Sequence, residues 1–152
     1  GATALDAGRM AAARIEGGSL RWLPLAEGDP LAAARAAGAT AFDRPVGLAF
    51  DAARRRLCLA VNGGAGRVLE FRAAAGDAAS ETGVAEVLLQ GREAPPAERG
   101  REAQAAPAWP WAPAALGFDR DGALLVGTDR GARPGALPEA LYRVRVEGAG
   151  RG

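Results

Sequence analysis

A short signature occurs twice in this chain and limits the fold more than any other feature. The first copy reads Pro45-Val46-Gly47-Leu48-Ala49-Phe50-Asp51 and continues to Leu57-Cys58-Leu59-Ala60-Val61-Asn62. The second reads Pro113-Ala114-Ala115-Leu116-Gly117-Phe118-Asp119 and continues to Leu124-Leu125-Val126-Gly127-Thr128-Asp129. The two prolines lie 68 residues apart, and Leu57 and Leu124 lie 67 apart. The one-residue difference falls in a turn, where changes of length cost least. Each copy then reaches another apolar run, Val68-Leu69-Glu70-Phe71 or Leu141-Tyr142-Arg143-Val144. A repeated unit of this kind buries its face by stacking on its neighbour, and a unit of about four antiparallel strands is a propeller blade.

Around this repeat the chain reads as short strands with one helix. Arg9 to Ile15 and Ser19 to Leu25 form a hairpin about Gly17-Gly18, since glycine takes positive φ without steric cost. Trp22 packs on one of its faces. Asp29 to Gly38 reads as a helix, with Asp29 as N-cap, Pro30 at the first helical position, an alanine-rich body and a terminal glycine. Strands follow over Val46 to Phe50, Leu57 to Val61, Arg67 to Arg72, Val84 to Leu89, Ala115 to Phe118, Ala123 to Thr128 and Leu141 to Val146. Several are apolar throughout rather than alternating, which suits blades covered on both faces.

The expected fold is therefore all-β, a partial β-propeller of about two to three blades with one short helix. Its blade parts are 1–28, 39–91 and 108–148, with the helix at 29–38 and a solvated loop at 92–107. The opening hairpin resembles strands three and four of a preceding blade. Propellers close with roughly 4–8 blades, so the chain reads as a segment whose partners are the remaining blades of a larger parent chain, or further copies. A small β-sandwich is the structural alternative.

Composition removes several kinds of chemistry. The chain has no His, which excludes a Ser-His-Asp triad and imidazole metal ligands. Cys58 is the only cysteine, and in its apolar run it reads as a buried, inert thiol. The net charge of +1 gives no electrostatic case for nucleic acid. No apolar run is long enough to predict a membrane span.

Three stretches carry a family resemblance. They are Leu5-Asp6-Ala7-Gly8-Arg9 through Arg21-Trp22-Leu23-Pro24-Leu25, then Gly38-Ala39-Thr40-Ala41-Phe42-Asp43-Arg44-Pro45 onward to Asp51, then Ala112 to Asp119. Their order resembles the C-terminal part of the PhoX-type bacterial alkaline phosphatases. The resemblance implies a β-propeller phosphomonoesterase with calcium and iron at its active site, exported to the periplasm or beyond by the twin-arginine route. It also implies carboxylates for holding those cations. The family glutamate after Arg-Pro is Val46 here, the aspartate after the second proline is Ala114, and its neighbouring asparagine is Ala115. The metal site is thus expected to be degenerate, with no catalytic residue and no cofactor in this chain.

The polar groups near those positions are Arg44, Asn62 and Asp129, the candidate residues for binding a small phosphate ester. Arg44 has the fork for a phosphate, but reads equally as a structural partner of Asp43 or Asp51. Asn62 and Asp129 read as strand-end caps. Asp119-Arg120-Asp121-Gly122 reads as a β-turn, since it lacks the later ligands of a calcium loop.

Overall fold

The hairpin at the start of the chain shows how closely local chemistry is followed. In the computed structural model, which describes residues 9–64, 66–74, 80–91, 112–128 and 141–145, strands β1 (Ala11–Glu16) and β2 (Ser19–Pro24) pair antiparallel. Gly17 and Gly18 connect them at φ of 56° and 84°. Two positive φ values in a two-residue loop match the right-handed twist of the strands. The helix α1 (Pro30–Ala36) follows, and the Asp29 carboxylate accepts the Leu31 N–H at 3.0 Å. Gly38 ends this element at φ 74°. Thr40 then returns to β1: its N–H donates to the Ala13 carbonyl and its Oγ1 accepts the Ile15 N–H, both at 2.8 Å.

The repeat forms the remaining strands. These are β3 (Pro45–Asp51), β4 (Arg56–Val61), β5 (Arg67–Ala73) and β6 (Thr82–Gln90) in the first copy. The second copy supplies β7 (Pro113–Phe118), β8 (Leu124–Thr128) and β9 (Leu141–Val144). Backbone pairing gives the orders β1-β2-β6-β5-β4-β3 and β7-β8-β9. The hairpin expected in a preceding blade therefore hydrogen-bonds to the fourth strand of the first repeat, through Ser19↔Val84, Leu20↔Gly83 and Arg21↔Thr82. The expected loop at 92–107 lies outside the described residues.

The chain divides into two units. One holds the hairpin, the helix and the described residues within 71–85; the other holds those within 42–70 and 86–152. In the second unit β7 packs on β3 and β4. Its core joins Cys58 and Val68 of the first repeat to Leu124 and Val126 of the second, with Leu116, Phe118, Tyr142 and Val144 against them. The first repeat is thus covered on one face by the second, the stacking arrangement of successive blades. Gly47 permits the approach, because a Cβ there would stand 3.3 Å from the Ala115 Cα and the Leu116 N.

A buried ion cluster lies on the same face. Arg56 donates from Nε to the Asp51 carboxylate at 3.1 Å, and its Nη1 lies 3.7 Å from Glu70. Its Nη2 donates to the Gly122 carbonyl of the second repeat at 2.6 Å, and the guanidinium carbon sits 4.6 Å from the centre of the Phe118 ring. Asp51 also accepts from the backbone N–H and Nη1 of Arg54. Burial raises the Asp51 pKa, but the hydrogen bonds from Arg54 and Arg56 outweigh it and hold the carboxyl below its ordinary value. Cys58, fully buried beside this cluster, has its thiol pushed up to about 12, by burial first and then by the Glu70 charge. That matches the inert thiol read from the sequence.

Removing Arg56 leaves Asp51 and Glu70 buried beside a void. Arg56→Ala is expected to lose about 3–5 kcal/mol in chemical denaturation, as for one partner of a buried pair. Because the folded Asp51 pKa is lowered, its stabilisation is full above the unfolded value and fades as pH falls through the folded one. The melting temperature of the wild type should therefore drop on acidification below about pH 4. Asp51→Asn should be less stable at neutral pH and show a shallower acid slope.

Candidate functional site

Two of the polar residues singled out in the sequence, Arg44 and Asn62, lie at the end of the first repeat where β3 begins and β4 ends. Arg44 has φ 57° and Ala112 has φ 52°, and these are equivalent positions of the two repeats, each just before the signature proline. Neither side chain favours the left-handed region, and such residues are uncommon outside glycine. Immediately after each proline the strand register shifts, between Pro45 and Gly47 and again between Pro113 and Ala115. The residues within these irregularities are Val46 and Ala114. Bulges re-aim a side chain and are frequent beside active sites. The backbone device is therefore present twice, and each time it carries an apolar group where the resemblance implies a carboxylate.

Arg44 and Asn62 are brought together through the main chain: the Asn62 N–H donates to the Arg44 carbonyl at 2.9 Å. Next to it, the Gly63 N–H donates to the Asp43 carbonyl at 3.1 Å. The Asn62 main chain thus continues the pairing of the two strands to their end. Asp51, the alternative partner for Arg44, lies at the other end of β3 and bonds Arg54 and Arg56. Asp129 lies outside the described residues.

A cavity of about 280 Å³ opens beside this point, lined by Asp43, Val61, Gly63, Gly64, Gly66, Arg67 and Gln90. It presents one guanidinium, one carboxylate and one amide, a set suited to hydrogen-bonded recognition of a small polar group. Gln90 Nε2 donates to the Gly66 carbonyl at 3.3 Å, and the Gly91 N–H donates to the same oxygen at 2.8 Å. Sequence reasoning passed over Arg67 and Gln90. The antiparallel order was the available signal, since it brings the start of β5 and the end of β6 to the same edge as Asn62.

Calcium and iron are the metals the resemblance implies. Calcium takes six to eight oxygen ligands, carboxylates foremost, and the groups at the two bulges are an isopropyl and a methyl. Among the described residues no three His, Cys, Asp or Glu side chains assemble into a metal-holding group. The described donor set does not fit either ion. The acidic turn after β7 is used differently. Asp119 Oδ1 accepts the N–H groups of Asp121 and Ala123, both at 2.9 Å. Arg143 donates to Asp119 Oδ2 at 2.6 Å and to Asp121 at 3.1 Å. That guanidinium first, then the turn N–H groups, hold Asp119 below its ordinary pKa. The β-turn reading of this segment stands.

Fold and repeat together define a partial β-propeller with one short helix. The chain is similar in structure to PhoX of Pseudomonas fluorescens, solved with vanadate, a transition-state analogue, at a TM-score of 0.73 and 19% identity. The match covers 92% of this chain and 34% of that one, so the chain spans about a third of its structural neighbour. At this identity the likeness is one of fold. No family model and no curated protein matches the sequence.

Gly66 offers a direct test of how tightly this end is built. It has φ 73°, and a Cβ would stand 2.8 Å from Pro113 Cδ and 3.2 Å from the Ala112 N. Gly66→Ala combines backbone strain with overpacking and should cost about 1–3 kcal/mol in equilibrium unfolding. A neutral result would show that the Pro113 strand yields.

Proposed function

We propose that this chain is a segment of a PhoX-like phosphatase-family propeller that does not itself hydrolyse phosphoric monoesters. The reading is supported by the order of the three sequence stretches and by the likeness of fold to PhoX. The observation that carries the second half is the pair of bulges holding Val46 and Ala114. Phosphoryl transfer needs cations or fixed charges to neutralise the phosphate oxygens, and these positions supply neither. Arg44, Asn62 and Asp129, with Arg67 from the cavity, are the groups proposed to meet a small phosphate ester. Propellers close with roughly 4–8 blades, so the remaining blades of a larger parent chain are the proposed partners, and the periplasm or exterior is the proposed location. Among the described residues no helix is long and apolar enough to cross a membrane.

A second reading rests on the same bulges. A propeller that keeps its scaffold and replaces carboxylates in both repeats is suited to binding or scaffolding without catalysis. The two readings share one outcome for the isolated chain. With calcium and iron added, it should show no p-nitrophenyl phosphate hydrolysis above the buffer rate. Metal-dependent turnover that disappears on chelation would overturn both.

A further inference from the structure

The cavity at the strand ends holds an acid and a base that do not neutralise each other. Asp43 and Arg67 both line it. Among the described residues neither side chain takes an ion pair or a hydrogen bond, with the other or with a third group. Other charges of this unit do pair: Arg54 with Asp51, and Arg143 with Asp119 and Asp121.

The loop that frames the cavity seats the acid. The Gly63 N–H donates to the Asp43 carbonyl at 3.1 Å, and a Cβ at Gly63 would run into the Asp43 carboxylate. The carboxylate thus occupies a place that only glycine leaves open. Gln90 is held as well. Its Nε2 donates to the carbonyls of Gly66 and Gly91 at 3.3 and 3.4 Å. Both amide hydrogens are thereby used, and Oε1 is left as the acceptor of a side chain that lines the cavity. Arg67 opens β5, is half-buried, and is the one cation of the lining. Its guanidinium fork matches phosphate geometry.

A plain phosphate ester satisfies Arg67 but is repelled by Asp43. A ligand with a cation beside its phosphate satisfies both. At about 280 Å³ the cavity lies below the size of pockets for drug-like molecules, so the ligand is small. We propose that this cavity selects small phosphate monoesters that carry a primary ammonium group, the aminoalkyl phosphates. Arg67 takes the phosphate oxygens, and Asp43 and Gln90 Oε1 accept from the ammonium. The inference rests on the reading that this end of the fold meets a phosphate ester, and it adds the class of ester.

The test is an NMR titration of the full chain with O-phosphoethanolamine, ethyl phosphate and ethanolamine, each to about 10 mM. O-phosphoethanolamine should bind about tenfold more tightly than ethyl phosphate, the gain expected from a charge-assisted hydrogen bond. Asp43→Asn should bring the two affinities within about twofold of each other. Asp43→Ala serves in its place if the asparagine variant melts early. Arg67→Gln should weaken both esters about tenfold. Equal binding of the two esters by the wild type would overturn the inference and leave the phosphate-ester reading standing. Binding of neither ester would overturn both. Ethanolamine binding as tightly as O-phosphoethanolamine, or a preference that persists without the Asp43 carboxylate, would also overturn the inference.

Discussion

A guanidinium buried between two sheets is the constraint around which the second unit is organised. Removing a cation from water is costly unless its donors are satisfied, and Arg56 satisfies them from four directions. Asp51 comes from β3, Glu70 from β5, the Gly122 carbonyl from the turn between β7 and β8, and the Phe118 ring from β7. The guanidinium fork is planar and rigid. A slip of β3 against β4 by one residue would turn Asp51 to the opposite face and deprive the cation of its closer carboxylate partner. Register of the first repeat and seating of the second are therefore linked through one side chain, while Cys58, Val68, Leu124 and Val126 supply the apolar burial around it.

The second repeat copies the fold without copying this charge. The place of Arg56 is taken by Ala123 and the place of Glu70 by Arg143, which reaches back to Asp119, the counterpart of Asp51. The pair is now at the surface, where ion pairs contribute little. This difference follows from cover. A buried carboxylate needs a buried cation, whereas an open face tolerates a solvated one.

The strand plan was legible because the signature recurs with its turn and its following apolar runs, and each of those runs became a strand. The helix was legible from Asp29, Pro30 and Gly38, whose roles are local. The pairing of the hairpin with β6 was not, since three residue pairs leave no periodic trace in Thr82-Gly83-Val84. The buried cluster was half legible. Glu70 interrupts an apolar run, a sign of an inward charge, but nothing in Arg54-Arg55-Arg56 marks the third arginine as the buried one. The left-handed Arg44 and Ala112 were invisible, because neither residue type signals positive φ.

Those two strained residues bear on what the site end of the fold means. Backbone strain of about 1–3 kcal/mol per residue persists only where the surroundings over-determine it, and it is often a mark of function. Here Ala112 is held by packing: Pro113 is buried, and Gly66 comes so close to both that a Cβ would not fit. Asn62 and Gly63 close the same end by backbone bonds to Arg44 and Asp43. At Ala112 the strain is thus maintained by the contact between repeats, and at Arg44 by backbone bonds within the first repeat. Val46 and Ala114 are the side chains that the two bulges carry.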